Sequence, residues 1–340
     1  YYSAGGIDIF HGDALEIMAS LPSSSVALVA SDPPYFQVVE DPFDHQWPDA
    51  AAFLAWIGRV ADEWQRLLTP AGSFYAFASP KMAARVELVI AERLDVLNTI
   101  TWAKPATMSG RANKEGLRAF FPDSERIIFG AQRGSEGSPM LGTGYAAAEA
   151  RARSDVFAPL REYLVGERDR AGVSNAAVDA ALKASGMASH YFGASQWAIP
   201  TAAAYRILRD LCGPGFFERE FDDLRREYQR LWGEFLARRA AHDHLRRTFN
   251  SSPRLPFRDV WTHAPFLGGE RAHVCEKPLA ICRDIVELSS LPGDLVLDSF
   301  IGSGSMLRAA KDLGRRAIGI ESEERWCEHA AKRLAQEVLL

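Results

Sequence analysis

Short apolar runs alternate with helical patterns at both ends of this 340-residue chain, and this alternation constrains the fold more than any other feature. The last 70 residues show the alternation, and so do the first 133. In the first part, the runs rich in β-branched and aromatic residues are GIDIFHGD, SVALVASDPPY, GSFYAFASP, VLNTITWAKP and ERIIFGAQ. Such strand–helix–strand order predicts an α/β fold, with a mostly parallel sheet that carries helices on both faces.

Residues 134–262 have a different character. They begin with the Gly/Ser/Pro-rich run GSEGSPMLGTG and continue through an Ala-rich zone into an Arg-rich helical pattern, with little that predicts a strand. We therefore expect a helical insert at 134–262 that separates two α/β segments, 1–133 and 263–340.

Composition narrows the class of protein further. Apolar residues make up 47% of the chain and charged residues 24%, which excludes collagen-like, coiled-coil and wholly disordered proteins. No run is long enough to span a membrane and the N-terminal residues do not resemble a secretory signal, so we expect a cytoplasmic protein without membrane contact. The four cysteines form no CxxC pair, so neither a disulfide nor a metal site is expected.

A glycine-containing turn at 298–305 follows the apolar run LVL and precedes a helical pattern. Glycine pairs at a strand-to-helix turn let the backbone approach a ligand, but Leu307 breaks the GxGxxG pattern of dinucleotide sites. Glu321 ends the next strand, where its carboxylate can accept hydrogen bonds from ribose hydroxyls. The pattern favours an adenosine-containing cofactor that lacks a pyrophosphate.

The segment Asp32-Pro33-Pro34-Tyr35 stands at the end of the strand VALVA. Two prolines remove two N–H donors and end strand pairing, so the turn presents hydrogen-bond acceptors. The Asp32 carboxylate and the Pro33 carbonyl group together can hold both hydrogens of a planar amino group, while Tyr35 stacks on the attached ring. This chemistry fits an exocyclic amino group on a base.

SDPPYF, with the downstream DSFIGSG turn, resembles the S-adenosylmethionine-dependent DNA amino-methyltransferases that modify adenine N6 or cytosine N4. The motif order resembles the permuted β class of that family. The resemblance implies a Rossmann-like methyltransferase sheet with a catalytic part at 1–133, a target-recognition insert at 134–262 and a cofactor-binding part at 263–340. It implies catalytic roles for Asp32, Pro33, Pro34 and Tyr35. It implies S-adenosylmethionine contacts for Asp13, Lys277, Asp298, Phe300, Gly302, Gly304, Ser305 and Glu321.

The implied reaction is direct, in-line methyl transfer to adenine N6 of a base flipped out of duplex DNA, without a metal. Adenine is favoured because the motif begins with Asp, whereas cytosine-N4 enzymes more often carry Ser. Cytosine N4 and a non-catalytic DNA-binding regulator that retains the fold stay open as alternatives. RNA or protein-glutamine methylation is disfavoured because enzymes of that kind usually place the cofactor turn first. Phe36 and Trp47 could cover the flipped base, although core packing is the commoner role of such residues.

The insert contains the candidate DNA-reading elements. Residues 174–183 and 189–196, separated by the turn 184–186, resemble a helix-turn-helix with Ser174 as N-cap. The groove-contact candidates are His190, Tyr191, Ser195 and Gln196; the phosphate-contact candidates are Arg111, Lys114 and Arg118.

One long helix is expected at about 216–247, with an apolar seam of Phe217, Phe221, Leu224, Tyr228, Leu231 and Phe235. At 1.5 Å per residue it would run roughly 45 Å, enough to brace the insert or to pair with a second subunit. We therefore expect a homodimer. The segment from Arg219 to Arg254 carries nine arginines and six acids, an excess of +3 in a chain of net charge −5.

Overall fold

A computed structural model describes residues 1–104, 118, 120, 123–135, 144–193, 197–250, 252, 254–255, 258–264 and 276–336. The chain divides into an α/β unit, Tyr1–Gly144 with Leu245–Leu340, and a helical unit, Tyr145–His244. The helical unit is narrower than the insert expected at 134–262, because 260–262 adds a strand to the sheet of the α/β unit. Among the described helices, none has the length and apolar character needed to cross a membrane.

The α/β unit is built on a nine-stranded sheet. Its strands are β1 (Tyr2–Ala4), β2 (Ile7–His11), β3 (Val26–Ser31), β4 (Leu68–Ala78), β5 (Asp95–Ala103), β6 (Ser124–Ala131), β7 (Val260–Thr262), β8 (Leu295–Asp298) and β9 (Arg316–Glu321). Their spatial order is β1-β2-β9-β8-β3-β4-β6-β5-β7. The strands from β2 to β4 in this order are parallel, whereas β6 is antiparallel to both of its neighbours. The predicted mostly parallel sheet is confirmed.

The described helices are α1 (Ala14–Ser20), α2 (Ala50–Leu67), α3 (Ala83–Ala91), α4 (Gly144–Arg170), α5 (Asn175–Leu182), α6 (Met187–Phe192), α7 (Ala202–Cys212), α8 (Phe221–Ala240), α9 (Leu279–Ser289), α10 (Ser305–Asp312) and α11 (Glu324–Ala335). Helices α1 to α3 contribute to one buried cluster of the sheet, and α9 to α11 contribute to the other. Helix α2 shows why such elements form: Asp49 caps its first turn through Ala52 N at 2.8 Å, and Phe53, Ile57 and Trp64 are buried at helical spacing. Helices therefore cover both faces, as the alternation predicted.

The two distant α/β segments meet at the centre of the sheet. Strand β3 from the first segment pairs directly with β8 from the last, and Leu28 lies opposite Val296. Just beyond both strands, Ser299 N donates a hydrogen bond to Ser31 Oγ at 2.8 Å. The carboxyl ends of neighbouring parallel strands lie at one edge of a sheet, where α/β proteins bind ligands. The fold thus brings the segments after Ser31 and Asp298 side by side.

The helical unit has its own core, and its long helix differs from the prediction. Helix α8 covers 20 residues, or about 30 Å. It begins after Glu220 and ends at Ala240, and the positive φ of Phe217, 51°, interrupts the helical backbone ahead of it. Leu224, Leu231 and Phe235 of the predicted seam are buried within this unit. Packing inside one chain therefore accounts for the seam, and the homodimer stays a prediction.

The helix-turn-helix region is built from α5 and α6. Ser174 caps α5 through Ala177 N at 3.2 Å, as predicted. The turn is fixed by Asp179, whose carboxylate accepts from Gly186 N at 2.9 Å and from Ala188 N at 2.8 Å. These backbone hydrogen bonds lower the pKa of Asp179. The second helix ends at Phe192, whereas the predicted helical stretch ran from residue 189 to residue 196.

Candidate active site

The carboxyl ends of β2, β9, β8 and β3 open into one cleft of about 1230 Å³ that is continuous with solvent. Each strand contributes side chains that the sequence had singled out. The predicted residues that line the cleft are Asp13, Asp32, Pro33, Pro34, Tyr35, Lys277, Asp298, Phe300, Gly302, Ser305 and Glu321. Residues more than 260 positions apart in the chain thus face the same space.

Asp298 ends β8 at the floor of the cleft. It is buried, and its Oδ1 accepts from Phe300 N at 3.2 Å, which holds the following turn. Burial raises the pKa of Asp298 to about 8, because the low-dielectric surroundings disfavour its charged form. Asp298 is therefore a buried carboxyl group in a site where a cation would stabilise its ionised form.

The two glycines of the following turn have different roles. Gly302 lines the cleft and donates its N–H to Glu321 Oε2 at 3.0 Å. Gly304 is the left-handed residue before α10, with φ of 78°, and a Cβ there would lie 2.8 Å from the Ala330 Cβ. Gly304 permits close packing of α10 and α11, and its contact with a cofactor stays a prediction.

Glu321 and Asp13 are held by backbone amides. Glu321 Oε1 accepts from Glu323 N at 3.0 Å, and burial raises the pKa of this carboxyl group. Asp13 caps α1 by accepting from Leu15 N at 2.9 Å and from Glu16 N at 3.1 Å. Each carboxylate offers about four lone-pair sites, so both retain capacity for a ligand.

Asp32 carries the most unusual polar atom of the cleft. Its Oδ2 is bonded by the Lys277 ammonium group, whereas its Oδ1 is buried without a hydrogen-bond partner among the described residues. Burial raises the pKa of Asp32, and the positive charge of Lys277 opposes this effect. A buried acceptor left open is costly, because a lost hydrogen bond is not replaced by water. Oδ1 is therefore positioned to accept a hydrogen bond from a ligand.

Lys277 lines the cleft, where it is paired with carboxylates. Its side chain is 8% exposed, and its Nζ lies 5.1 Å from the ring centres of both Tyr35 and Phe77. The same Nζ is 3.5 Å from Glu125 Oε2. The ammonium group thus joins Asp32 and Glu125, and its contact with a cofactor stays a prediction.

Tyr35 is fixed at both ends by carboxylates that the sequence analysis missed. Its hydroxyl group donates to Glu125 Oε2 at 2.7 Å, and its N–H donates to Asp44 Oδ1 at 2.6 Å. Glu125 begins a predicted strand and Asp44 lies in a short loop, so no periodicity or motif marks either residue. Both contacts depend on the tertiary fold.

Asp44 organises the loop after the proline pair. It is fully buried and accepts hydrogen bonds from the backbone amides of Tyr35, Phe36, Val38 and Val39, at 2.6 to 3.0 Å. Phe36 and Gln37 adopt positive φ values of 64° and 58°, which are strained for residues with a side chain. The Asp44 hydrogen bonds offset this strain and keep the loop in one conformation.

Phe36 and Trp47 pack in the core. The Phe36 ring stacks on Phe53 at 5.4 Å, and the Trp47 ring lies 4.8 Å from Trp56. Both residues pack against the buried cluster on the α1–α3 face. The structure therefore favours the core role over a cover for a base.

The predicted DNA-contact residues differ in exposure, and some lie outside the described residues. Arg118 is exposed and His190 is half-buried, while Arg111, Lys114, Ser195 and Gln196 lie outside the described residues. Tyr191 is corrected by the structure: its side chain is 5% exposed and packs in the core of the helical unit, so its ring does not face a groove. Among the described residues, no cluster of three or more His, Cys, Asp or Glu side chains is arranged to hold a metal ion.

Comparison with known proteins agrees with this arrangement. The family model for DNA methylases that act on N6 or N4 positions matches residues 26–332. The type II methyltransferase M.HinfI of Haemophilus influenzae is 43% identical over 68 residues, 20% of this chain and 19% of that protein. M2.DpnII of Streptococcus pneumoniae is 34% identical over 113 residues, 32% of this chain and 41% of that protein. The matched segments span less than half of either relative.

Among solved structures, the M1.HpyAVI–SAM complex superimposes with a TM-score of 0.51 at 19% identity. The alignment covers 97% of this chain and all of that chain. At this identity the likeness shows the shared Rossmann-like methyltransferase fold. The family model, by contrast, extends from β3 through most of α11 and includes both the proline turn and the glycine turn. The chain therefore belongs to the N6/N4 DNA methylase family.

Proposed function

We propose that this protein transfers a methyl group from S-adenosylmethionine to adenine N6 at a specific sequence in duplex DNA. The observation that carries the proposal is the buried, unpaired Oδ1 of Asp32, a residue that lines the same cleft as Phe300 and Glu321. An acceptor there is matched to the hydrogens of an amino group. The family membership supports methyl transfer to DNA as the reaction class.

The charge of the cleft complements the cofactor, and the cleft opens to solvent. Asp13, Asp298 and Glu321 surround the space with acidic groups, which complements a sulfonium cation and offers acceptors for ribose hydroxyls. Phe300 and Gly302 border the same space. When bound, S-adenosylmethionine supplies an electrophilic methyl group.

The target base would be gripped by the proline turn. Asp32 Oδ1 and the Pro33 carbonyl group accept the two amino hydrogens, which favours a tetrahedral nitrogen and stabilises the positive charge that develops on it. The Tyr35 ring stacks on the base, and such stacking contributes about 1–3 kcal/mol, comparable with the cost of flipping. Because the amino nitrogen attacks directly, no covalent enzyme intermediate is required.

The helical unit is proposed to read the target sequence. This role is supported by its separation from the α/β unit and by the helix-turn-helix geometry of α5 and α6. Half-buried His190 is the candidate for a groove contact that remains accessible. Arg118 is a candidate for a phosphate contact from the α/β unit.

Identification of the methylated nucleoside tests the proposal. Purified protein is incubated with unmethylated DNA of mixed sequence and with S-adenosylmethionine, and the DNA is then digested to nucleosides for mass spectrometry. We expect N6-methyldeoxyadenosine. N4-methyldeoxycytidine would establish the cytosine alternative, which the family model also includes. DNA binding without any methylated nucleoside would instead indicate a non-catalytic DNA-binding regulator.

A further inference from the structure

Glu125 is a charged residue that contacts the proline turn without lining the described cleft. It lies in β6 opposite Trp102, and its side chain is 15% exposed. Its Oε1 pairs with Lys104 at 2.7 Å, and its Oε2 accepts from the Tyr35 hydroxyl group at 2.7 Å. Burial opposes ionisation of Glu125, but Lys277 and Lys104 outweigh it and lower its pKa to about 2. Glu125 is therefore a fixed negative charge.

The first effect of this charge concerns Tyr35. The ring is held at its hydroxyl end by Glu125 and at its backbone end by Asp44. The bond to Glu125 restrains the position of the hydroxyl group, and the bond to Asp44 restrains the backbone from which the side chain starts. The place that the ring occupies is thereby set in advance.

The second effect concerns Lys277. Its Nζ contacts Asp32 Oδ2 and also lies 3.5 Å from Glu125 Oε2. An ammonium group that is 8% exposed requires negative partners, and without Glu125 only Asp32 of these two carboxylates would hold it. Lys277 thus bonds to Oδ2 of Asp32, whereas Oδ1 has no hydrogen-bond partner in the described structure.

We propose that Glu125 is the positioning residue of this site: it fixes where the Tyr35 ring lies through the hydroxyl group and keeps Lys277 on the Oδ2 side of Asp32, so that Oδ1 stays unpaired for the target amino group. The inference rests on the proposed function for its link to catalysis. Its structural content, the ring position and the unpaired oxygen, belongs to the protein alone.

The test compares Glu125→Gln with Glu87→Gln. Glu87 is a matched control, because its Oε2 accepts from Thr99 Oγ1 at 2.6 Å in the same unit but is absent from the described cleft lining. For Glu125→Gln we expect kcat to fall about 10- to 100-fold, the size of one charge-assisted hydrogen bond, while KM for S-adenosylmethionine changes less than about threefold. We expect Glu87→Gln to retain wild-type kcat.

The pH profile separates positioning from simple loss of folding. The charged or titratable groups that face Asp32 are Lys277, Glu125, Tyr35 and Asp298. The negative charge of Glu125 raises the pKa of Asp32, so its removal lowers that pKa. The acid limb of kcat against pH should therefore move to lower pH in Glu125→Gln. A loss of folded protein alone would lower kcat at every pH without shifting the acid limb of the profile.

Two further measurements make every outcome informative. Tyr35→Phe removes only the hydroxyl group, so its effect and that of Glu125→Gln should be less than additive in the double variant. A crystal structure of Glu125→Gln should show a displaced Tyr35 hydroxyl group and ring, or Lys277 bonded to Asp32 Oδ1. An undisplaced ring with Oδ1 still unpaired, or equal activity of the Glu125 and Glu87 variants, would overturn the inference. If wild-type protein methylates no DNA, the proposed function fails, and the crystal structure still decides the role of Glu125.

Discussion

One charged network of the α/β unit and one ion pair of the helical unit lie in opposite environments. In the α/β unit, Lys277, Asp32 and Glu125 form one network in which the side chains are 8%, 20% and 15% exposed. On α8 of the helical unit, by contrast, Arg238 and Glu234 form a surface ion pair with exposures of 51% and 39%. Exposed pairs contribute little to stability, whereas a buried charge without its partner is strongly destabilising. The buried network therefore depends on the pairing of its charges far more than the surface pair does.

Replacement of Asp32 should give the largest effect. We expect Asp32→Ala to lower kcat by roughly 10²–10³-fold or more, because the acceptor for the amino group is lost. Binding of S-adenosylmethionine, measured by calorimetry, should change much less. The control is Asp223→Asn on α8, where an exposed ion pair is removed and activity should change less than about twofold. An active Asp32→Ala enzyme would refute the assigned role.

Replacement of Asp44 should come next. Asp44→Ala leaves four backbone amides of the loop without their acceptor, and we expect the free energy of unfolding to fall by about 3 kcal/mol. The matched change in the helical unit is Asp179→Ala, which removes an acceptor from two amides and should be less destabilising. Urea unfolding of both variants measures the difference. Equal losses in the free energy of unfolding would show that the buried acceptor Asp44 is no more important for stability than Asp179 of the helical unit.

The pH dependence of stability should have opposite signs at Asp298 and Asp179. Burial raises the pKa of Asp298 from 3.8 to about 8, so the folded state binds a proton that the unfolded state has lost. Its contribution to stability falls as the pH rises through this window. Backbone hydrogen bonds lower the pKa of Asp179, so its contribution is present above the unfolded pKa and is lost as the pH falls.

Asparagine variants test these signs by urea unfolding over a range of pH. Asp298→Asn should flatten the decline in stability between about pH 4 and pH 8, since Asn resembles the protonated carboxyl group. Asp179→Asn should leave the decline in stability between these pH values unchanged and should alter the pH dependence of stability only at acidic pH. A wild-type decline that persists in Asp298→Asn would show that another group causes it.

The smallest effect is expected on the surface of α8. Arg238→Gln breaks the exposed pair with Glu234 and should change the free energy of unfolding by less than about 0.5 kcal/mol. DNA binding at several salt concentrations adds a second measurement. A clear reduction in the salt dependence of binding would reveal a phosphate contact at Arg238 and would give this surface a role beyond its internal pairing.

The sequence predicted the convergence of the α/β segments, because parallel strands of known order end at a common edge. Asp32, Phe300 and Glu321 follow strands with clear apolar patterns, so their shared position could be inferred. Glu125 and Asp44 could not be inferred. Glu125 meets Tyr35 across 90 positions of the chain, and Asp44 acts through backbone amides whose arrangement depends on positive φ values.

The remaining differences come from ambiguous apolar patterns. The seam of α8 predicts a helix, but its start depends on Glu220 and its end on Ala240, and neither residue is a strong signal. Tyr191 suits a core or a groove equally well by its residue type. Strand β7 contributes three residues to the sheet and is too short to show alternation, so its sequence does not predict a strand within 134–262.

The hydrogen bond from Ser299 N to Ser31 Oγ has a consequence for how the site achieves its accuracy. It ties the stretch that carries the amino-group acceptor to the stretch that carries the cofactor turn, just where β3 and β8 run side by side. Under the proposed function, the pairing of these strands holds the amino-group acceptor and the cofactor turn in one fixed register, so both reactants bind to a frame that is already aligned.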